Sequence, residues 1–181
     1  MLRSPVRSFA TAFAMAATLA VPASRTAAAD EAQIQRGKYL VTIAGCSDCH
    51  TPGGMLGNPD MTRYLGGSDV GFSIPGLGVF IGQNLTPDKE TGIGAWSGDQ
   101  IIAALRTGKR PDGGELSGVM PYGAFAHLTD EDAQAIAAFL KSIPAVKNKV
   151  AGPIKSSDKV DVFVSAVLPP DVYNALPATQ K

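Results

Sequence analysis

The feature that most constrains this chain is a five-residue motif, C-x-x-C-H, formed by Cys46, Ser47, Asp48, Cys49 and His50. This spacing is the attachment signature of a covalently bound haem. The two thiols can add to the two vinyl groups of one haem, and the adjacent histidine can bind the iron from the proximal side. Cys46 and Cys49 are the only two cysteines among the 181 residues. The motif therefore predicts one covalent haem, attached through both cysteines and ligated by His50.

Other chemistries fit the motif less well. A C-x-x-C pair can be a thioredoxin-type redox couple, but such a pair occurs near a βαβ pattern, which the sequence lacks. A structural zinc site commonly has four Cys or His ligands, whereas the motif supplies three. The other histidine, His127, lies far along the chain. A disulfide between cysteines three residues apart would close a small, strained loop. We therefore predict haem attachment in preference to dithiol, disulfide or zinc chemistry.

The first 29 residues have the pattern of a secretory signal peptide. Arg3 and Arg7 give a positive start, residues 8–21 are uncharged and largely apolar, and residues 27–29 form an A-x-A cleavage site. The apolar stretch is shorter than the ~20 residues that a membrane-spanning helix needs. We therefore expect an exported, periplasmic protein that is cleaved near Ala29. The mature chain is predicted to lack a transmembrane helix, which still allows peripheral association with a membrane.

The charge balance argues against one class of partner. The whole chain has 16 basic and 16 acidic residues. Residues 1–29 contain three arginines and no acidic residue, so cleavage leaves 13 basic and 16 acidic residues. A mildly acidic protein is a poor candidate for binding nucleic acid. We therefore predict no nucleic-acid partner.

Three helices are predicted around the motif. The first covers about residues 32–44 and ends at Gly45. The second begins at the capping box of Ser97 and Gln100. The third begins at Thr129, whose hydroxyl can cap a first turn rich in acidic residues. The fold class indicated is all-α, with long Gly/Pro-rich loops between three main helices.

The chain is predicted to contain one folded domain. Residues 1–29 are the signal peptide, residues 30–148 are a monohaem domain, and residues 149–181 are an extended tail. A long loop over residues 51–95 contains recurring apolar residues, which is typical of an ordered functional loop. Residues 79–81 can form a short strand within it.

The iron of such a site needs a sixth ligand, and four side chains of the mature chain can supply one: Met55, Met61, Met120 and His127. The first two follow the proximal histidine so closely that reaching the opposite haem face would need a sharp wrap. Met120 precedes Pro121 in a loop between the second and third helices, and the proline restricts it to extended conformations. We predict Met120 as the distal ligand, with His127 or an open site as alternatives.

The ligand pair has functional consequences. A His50/Met120 pair would raise the reduction potential and fill both axial positions. We therefore expect single-electron transfer and no catalysis. The alternative is a haem enzyme acting on peroxide or sulfur compounds, which would need a displaceable distal ligand and nearby acid–base groups. His127 is the one candidate group of that kind.

Three helices around a C-x-x-C-H motif resemble the class I cytochrome c fold. The resemblance implies that the first and last of these helices cross. Gly37 is the expected point of close approach, with Tyr39 and Phe139 packing nearby.

A more specific resemblance concerns the cytochrome c subunits of bacterial membrane-associated alcohol, gluconate and related dehydrogenases. It rests on five segments that recur in order: residues 84–88, 91–97, 104–108, 120–122 and 128–132. The resemblance implies a redox-partner dehydrogenase as electron donor and a downstream cytochrome or oxidase of the respiratory chain as acceptor. This chain departs from the pattern because it carries one haem motif, where alcohol and gluconate dehydrogenase subunits carry three.

In the resembling subunits this region lines the haem. Asn84, Trp96 and Arg106 have donors that could therefore reach the haem propionates. Each also has an alternative role: turn formation for Asn84, helix-start packing for Trp96 and a solvated helix face for Arg106.

Overall fold

The computed structural model describes residues 23–180, so most of the predicted signal peptide lies outside the described residues. Six helices occur in this part of the chain: α1 (Ala23–Ile43), α2 (Cys46–His50), α3 (Gly98–Thr107), α4 (Tyr122–Phe125), α5 (Asp130–Ser142) and α6 (Pro170–Ala175). Single 3₁₀ turns occupy Met61–Arg63 and Ala178–Gln180. The three predicted helices correspond to α1, α3 and α5, and α1 begins earlier than expected.

The helix starts follow the predicted capping chemistry. The Ser97 hydroxyl accepts a hydrogen bond from the Gln100 backbone N–H, and the Gln100 side chain accepts one from the Ser97 N–H, so both halves of the capping box form. The Thr129 hydroxyl accepts from the Asp132 N–H at the start of α5. These contacts satisfy N–H groups that a helix leaves without intrahelical partners.

Helices α1 and α5 cross in close contact at Gly37, as predicted. A Cβ atom added to Gly37 would lie 2.0 Å from the Ala135 carbonyl oxygen and 2.7 Å from Phe139 Cβ, so no larger residue fits. Phe139 is buried in this contact, but Tyr39 is 54% exposed and lies under the Arg36 guanidinium. Tyr39 therefore contributes less to the helix contact than expected.

A small sheet accompanies the helices and corrects the prediction of an all-α fold. The strands are β1 (Val70–Ile74), β2 (Gly78–Ile81) and β3 (Phe163–Ala166), in the order β2-β1-β3. Strand β1 is antiparallel to β2 and parallel to β3. The short strand predicted at residues 79–81 is confirmed, whereas β1 and β3 pair across about 90 residues, a distance that local patterns do not encode.

The hydrophobic core lies where α1, α3 and α5 meet the loop that follows the motif. Its larger buried side chains are Leu40, Val41, Leu65, Ile93, Ile101, Ile136, Phe139 and Leu140. The residues after position 148 are more structured than an extended tail, because they contain β3, α6 and a bridge between Ile154 and Val79. Within residues 23–180, none of the helices combines the length and the apolar character needed to cross a bilayer.

Candidate haem-binding site

Helix α2 places the three residues of the motif on one short, rigid element. Gly45 precedes it with φ of 64°, a left-handed conformation that lets the chain turn sharply out of α1. His50 ends the helix and is buried, while Cys46 and Cys49 are half-buried and carry free thiols. The two sulfurs and the imidazole thus come from five consecutive residues of the same helix.

The imidazole of His50 is held by a backbone carbonyl. Its Nδ1 atom lies 2.7 Å from the Gln83 oxygen. Because a carbonyl oxygen can only accept, Nδ1 must carry the proton and donate, which leaves Nε2 as the free ligand atom. Burial lowers the pKa of His50, although the bond to Gln83 opposes this effect. The lowered pKa favours the neutral ring, the form that binds metal.

Burial also keeps the two cysteines in the thiol form. Loss of solvent raises the pKa of Cys46 to about 11, and the nearby Cys49 and Asp48 add to this effect. The pKa of Cys49 is raised by burial and by Asp48. The Cys49 sulfur lies 3.9 Å from the sulfur of Met55. Both cysteines are thus unpaired thiols, the species that adds to a haem vinyl group.

This donor set fits a covalent haem. Among residues 23–180, no group of three or more His, Cys, Asp or Glu side chains is arranged to hold a metal ion directly. A four-ligand zinc site therefore has no counterpart in the described part of the chain. Two free thiols beside one neutral imidazole, whose second nitrogen is already bonded, match thioether attachment with a single axial nitrogen.

Two loops pack directly on the backbone of the motif. The Gly67 N–H donates to the His50 carbonyl oxygen at 2.8 Å. A Cβ atom on Gly82 would lie 1.7 Å from the Cys49 carbonyl oxygen, so this position admits only glycine. The Leu65 N–H donates to the buried hydroxyl of Thr51, the residue after the motif. The backbone at the end of the motif is therefore held by residues of two loops.

Met120 lies in the loop between α3 and α4 and is half-buried. Its N–H donates to the Ser117 carbonyl, and its own carbonyl accepts from the Tyr122 N–H. The Tyr122 ring packs on Gly108, where an added Cβ would lie 3.0 Å from the ring, and this contact ties the loop to the end of α3. Ligation of the iron by Met120 stays a prediction.

The other ligand candidates are more exposed than Met120. Met55 and Met61 have large exposed fractions, and Met61 reaches 62%. His127 is also exposed, after the end of α4. Of the four candidate ligands, Met120 is thus the one whose side chain is not exposed.

Asn84 uses its amide within the chain. The side chain is 2% exposed, its Nδ2 donates to the carbonyls of Val146 and Asn148, and its Oδ1 accepts from the backbone and hydroxyl of Thr86. These contacts support the alternative role of Asn84 in forming the loop. A bond from Asn84 to a propionate stays a prediction.

Arg106 and Trp96 differ in the donors they still offer. Arg106 donates to the Asp130 carboxylate and to the Leu128 carbonyl oxygen. Its Nε is buried and has no hydrogen-bond partner within the described residues. Trp96 is half-buried against the core, and its carbonyl accepts from Lys141. Arg106 thus has a buried donor that the described residues leave unpaired.

Sequence reasoning missed Gln83, which supplies the carbonyl for His50. A backbone acceptor can come from any residue type, so no sequence pattern identifies it. It also missed the buried Thr51 hydroxyl. The adjacent glycines Gly66 and Gly67 were the available signal for a tight loop at this place.

Comparison with known proteins identifies the family of this region. A sequence model of the family described as "Cytochrome c" matches residues 34–144, which include the motif and helices α3 to α5. The match thus covers the motif, Gln83 and Met120.

Three curated relatives are named as cytochrome subunits of dehydrogenases. The chain is 40% identical over 111 residues to an alcohol dehydrogenase (quinone) cytochrome c subunit of Gluconobacter oxydans (strain 621H) and 38% identical over 115 residues to a fructose dehydrogenase cytochrome subunit of Gluconobacter japonicus. It is 36% identical over 122 residues to a gluconate 2-dehydrogenase cytochrome c subunit of Pantoea cypripedii. These matches cover 61%, 63% and 67% of this chain, but only 21%, 22% and 26% of the relatives. The chain thus spans about a quarter or less of their length.

Proposed function

Since the chain belongs to the cytochrome c family, we propose that it is an exported electron-transfer protein with one covalent haem. In this proposal it accepts single electrons from a periplasmic or membrane-associated dehydrogenase and passes them to the respiratory chain. The predicted signal peptide supports export, and the single C-x-x-C-H motif supports one haem. The names of the relatives support a dehydrogenase as donor.

The observation that carries the proposal is the state of His50. Its imidazole is buried, which lowers its pKa and favours the neutral form, and its Nδ1–H is bonded to the Gln83 oxygen, so that only Nε2 remains for a metal. Cys46 and Cys49 lie on the same helix as free thiols. These residues would hold a haem by two thioether bonds and one axial nitrogen. When bound, the haem supplies a one-electron iron couple whose potential depends on the axial ligands.

We assign the distal position to Met120. Its loop follows α3 and is tied to Gly108 through Tyr122, which limits the positions that the thioether can reach. If Met120 held the iron together with His50, its thioether would exclude small ligands from the iron. Arg106 is assigned to a propionate through its free Nε, with Asn84 and Trp96 as weaker candidates. The chain's part in electron transfer is thus to fix both ligands and to keep water away.

The proposal is tested with the haem-loaded protein by redox titration and by exposure of the reduced form to carbon monoxide. We expect a single one-electron transition, with a high potential typical of His/Met ligation, and slow or absent carbon monoxide binding. Fast carbon monoxide binding by the reduced wild type would contradict it and would favour the alternative of a haem enzyme with a displaceable distal ligand.

The donor can be identified independently. The tagged full chain is isolated from the periplasm and from the membrane fraction of its own organism, and co-purifying proteins are identified by mass spectrometry. We expect a dehydrogenase whose substrate reduces the bound haem when it is added to the isolated complex. If that dehydrogenase leaves the haem oxidised, the proposed donor class is wrong.

A further inference from the structure

The segment after α5 returns to the motif. We call residues 146–154 the strap. Its far end is anchored at Ile154, which exchanges two backbone hydrogen bonds of 2.8 and 2.9 Å with Val79 in β2. Between its ends the strap crosses the two loops that contact His50, residues 65–67 and 82–84.

One of these loops carries the carbonyl that binds His50. The Gln83 side chain donates from Nε2 to the Ala151 carbonyl oxygen at 3.0 Å and also to the Ile81 oxygen. The next residue, Asn84, donates to the Val146 oxygen at 2.7 Å. The peptide that binds His50 is therefore tied to the strap by the side chains of two consecutive residues.

The other loop binds the backbone of His50. Gly67 donates its N–H to the His50 oxygen, and the preceding Gly66 oxygen accepts from the Asn148 side chain at 2.8 Å. A Cβ atom on Gly67 would lie 2.2 Å from a methyl carbon of Val150. The strap thus contacts both loops that bind His50, residues 65–67 and residues 82–84.

We propose that the strap positions the proximal ligand, by holding the Gln83 carbonyl against Nδ1 of His50. This inference rests on the proposed ligation of iron by His50. A hydrogen bond from the second ring nitrogen orients the imidazole and raises its basicity as a ligand. A more basic ligand stabilises ferric iron, so a tight strap lowers the reduction potential, and a loosened strap raises it.

The test uses the haem-loaded full chain with Gln83→Met, which keeps the backbone carbonyl and removes the amide that binds Ala151. Gln83 is exposed, so the substitution leaves the core intact. The matched control is Lys147→Gln, which lies on the strap but breaks only an ion pair with Glu90, in which both side chains are over 70% exposed. The readouts are the midpoint potential and the exchange rate of the His50 Nδ1 proton by nuclear magnetic resonance.

We expect Gln83→Met to raise the midpoint potential and to speed Nδ1 proton exchange about fivefold, the equivalent of one neutral hydrogen bond. Lys147→Gln should have the midpoint potential and the proton exchange rate of the wild type. If Gln83→Met only lowers the stability and leaves both readouts unchanged, the strap is structural and the inference is wrong. If Gln83→Met does not acquire haem, Asn148→Ala is measured instead with the same two readouts. This variant removes the bond from the strap to the Gly66 oxygen. The wild-type redox titration tests the proposed function separately, because a single one-electron transition is expected whether or not the strap positions His50.

Discussion

The two sides of the predicted haem site are built differently. On the proximal side, the buried polar residues Thr51, Asn84 and Thr86 bind partners far away in sequence, from 14 residues for Thr51 to 64 for Asn84. On the distal side, the loop with Met120 is held mainly by bonds between near neighbours, such as the pair of Arg110 and Asp112.

This difference implies that the stability of the fold and the choice of the iron ligand depend on different parts of the site. Buried polar groups that bind one another across the chain form only in the complete fold, and each is costly to leave unpaired. A loop closed by local bonds can change while the rest of the domain stays folded. We therefore expect proximal changes to reduce stability and distal changes to alter the iron ligand.

The largest effect is expected for Asn84→Leu on the proximal side. The substitution leaves the Thr86 N–H without its buried partner, and the Val146 oxygen keeps only a 3.3 Å bond from the Thr86 hydroxyl. We expect the free energy of unfolding to fall by about 3–5 kcal/mol, measured by guanidinium denaturation of the haem-loaded protein. The control is Asn58→Leu at an exposed position, which should change it by less than about 0.5 kcal/mol. If the free energy of unfolding falls equally in both variants, the proposed difference between the two sides is wrong.

Met120→Ala tests the distal side. We expect a loss of only about 1–2 kcal/mol, since the side chain is half-buried. The red-end absorption band of the ferric protein should disappear, and the potential should fall by on the order of 0.1–0.3 V. Met61→Ala, at a more exposed methionine, should keep both properties of the wild type. An unchanged band in Met120→Ala would exclude Met120 as the ligand.

A smaller effect is expected for Arg106→Gln. Removal of a cation near a propionate should lower the potential by on the order of tens of millivolts, because the positive charge favours the reduced iron. Redox titration across a range of pH measures this change, with Arg63→Gln as an exposed control. If Arg106→Gln leaves the potential and its pH dependence as in the wild type, Arg106 does not serve a propionate.

The smallest effect concerns Asp112 in the distal loop. The bond from Arg110 lowers the pKa of Asp112 to about 2. A carboxylate with a lowered folded pKa stabilises the fold above its unfolded pKa of about 3.9, and this stability is lost as pH falls toward 2. We therefore expect Asp112→Asn to be slightly less stable than the wild type at pH 7 and equal to it near pH 2, by thermal denaturation. A difference that persists at low pH would mean that the ion pair is not its source.

The sequence predicted the elements that depend on neighbouring residues. The capping box of Ser97 and Gln100, the cap at Thr129 and the close approach at Gly37 all arise from local chemistry or from one missing side chain. The haem motif is likewise a local spacing of five residues. These parts could be predicted because each depends on a few neighbouring residues of the sequence.

The parts that were missed are non-local. Strand β3 joins β1 from about 90 residues away, and the strap reaches the Gln83 loop across 68 residues. The acceptor for His50 is a backbone carbonyl, which has no residue signature. The bonds from the Asn84 amide to the strap were not predicted, and a contact of Asn84 with a propionate stays a prediction. Such pairings depend on the whole fold, so no single segment of the sequence identifies them.

The most direct test of the account is the intact mass of the exported, matured protein. We predict the mass of the processed polypeptide plus one haem, retained under denaturing conditions and lost when Cys46 and Cys49 are both replaced by serine. A mature wild-type protein at the bare polypeptide mass would contradict the account.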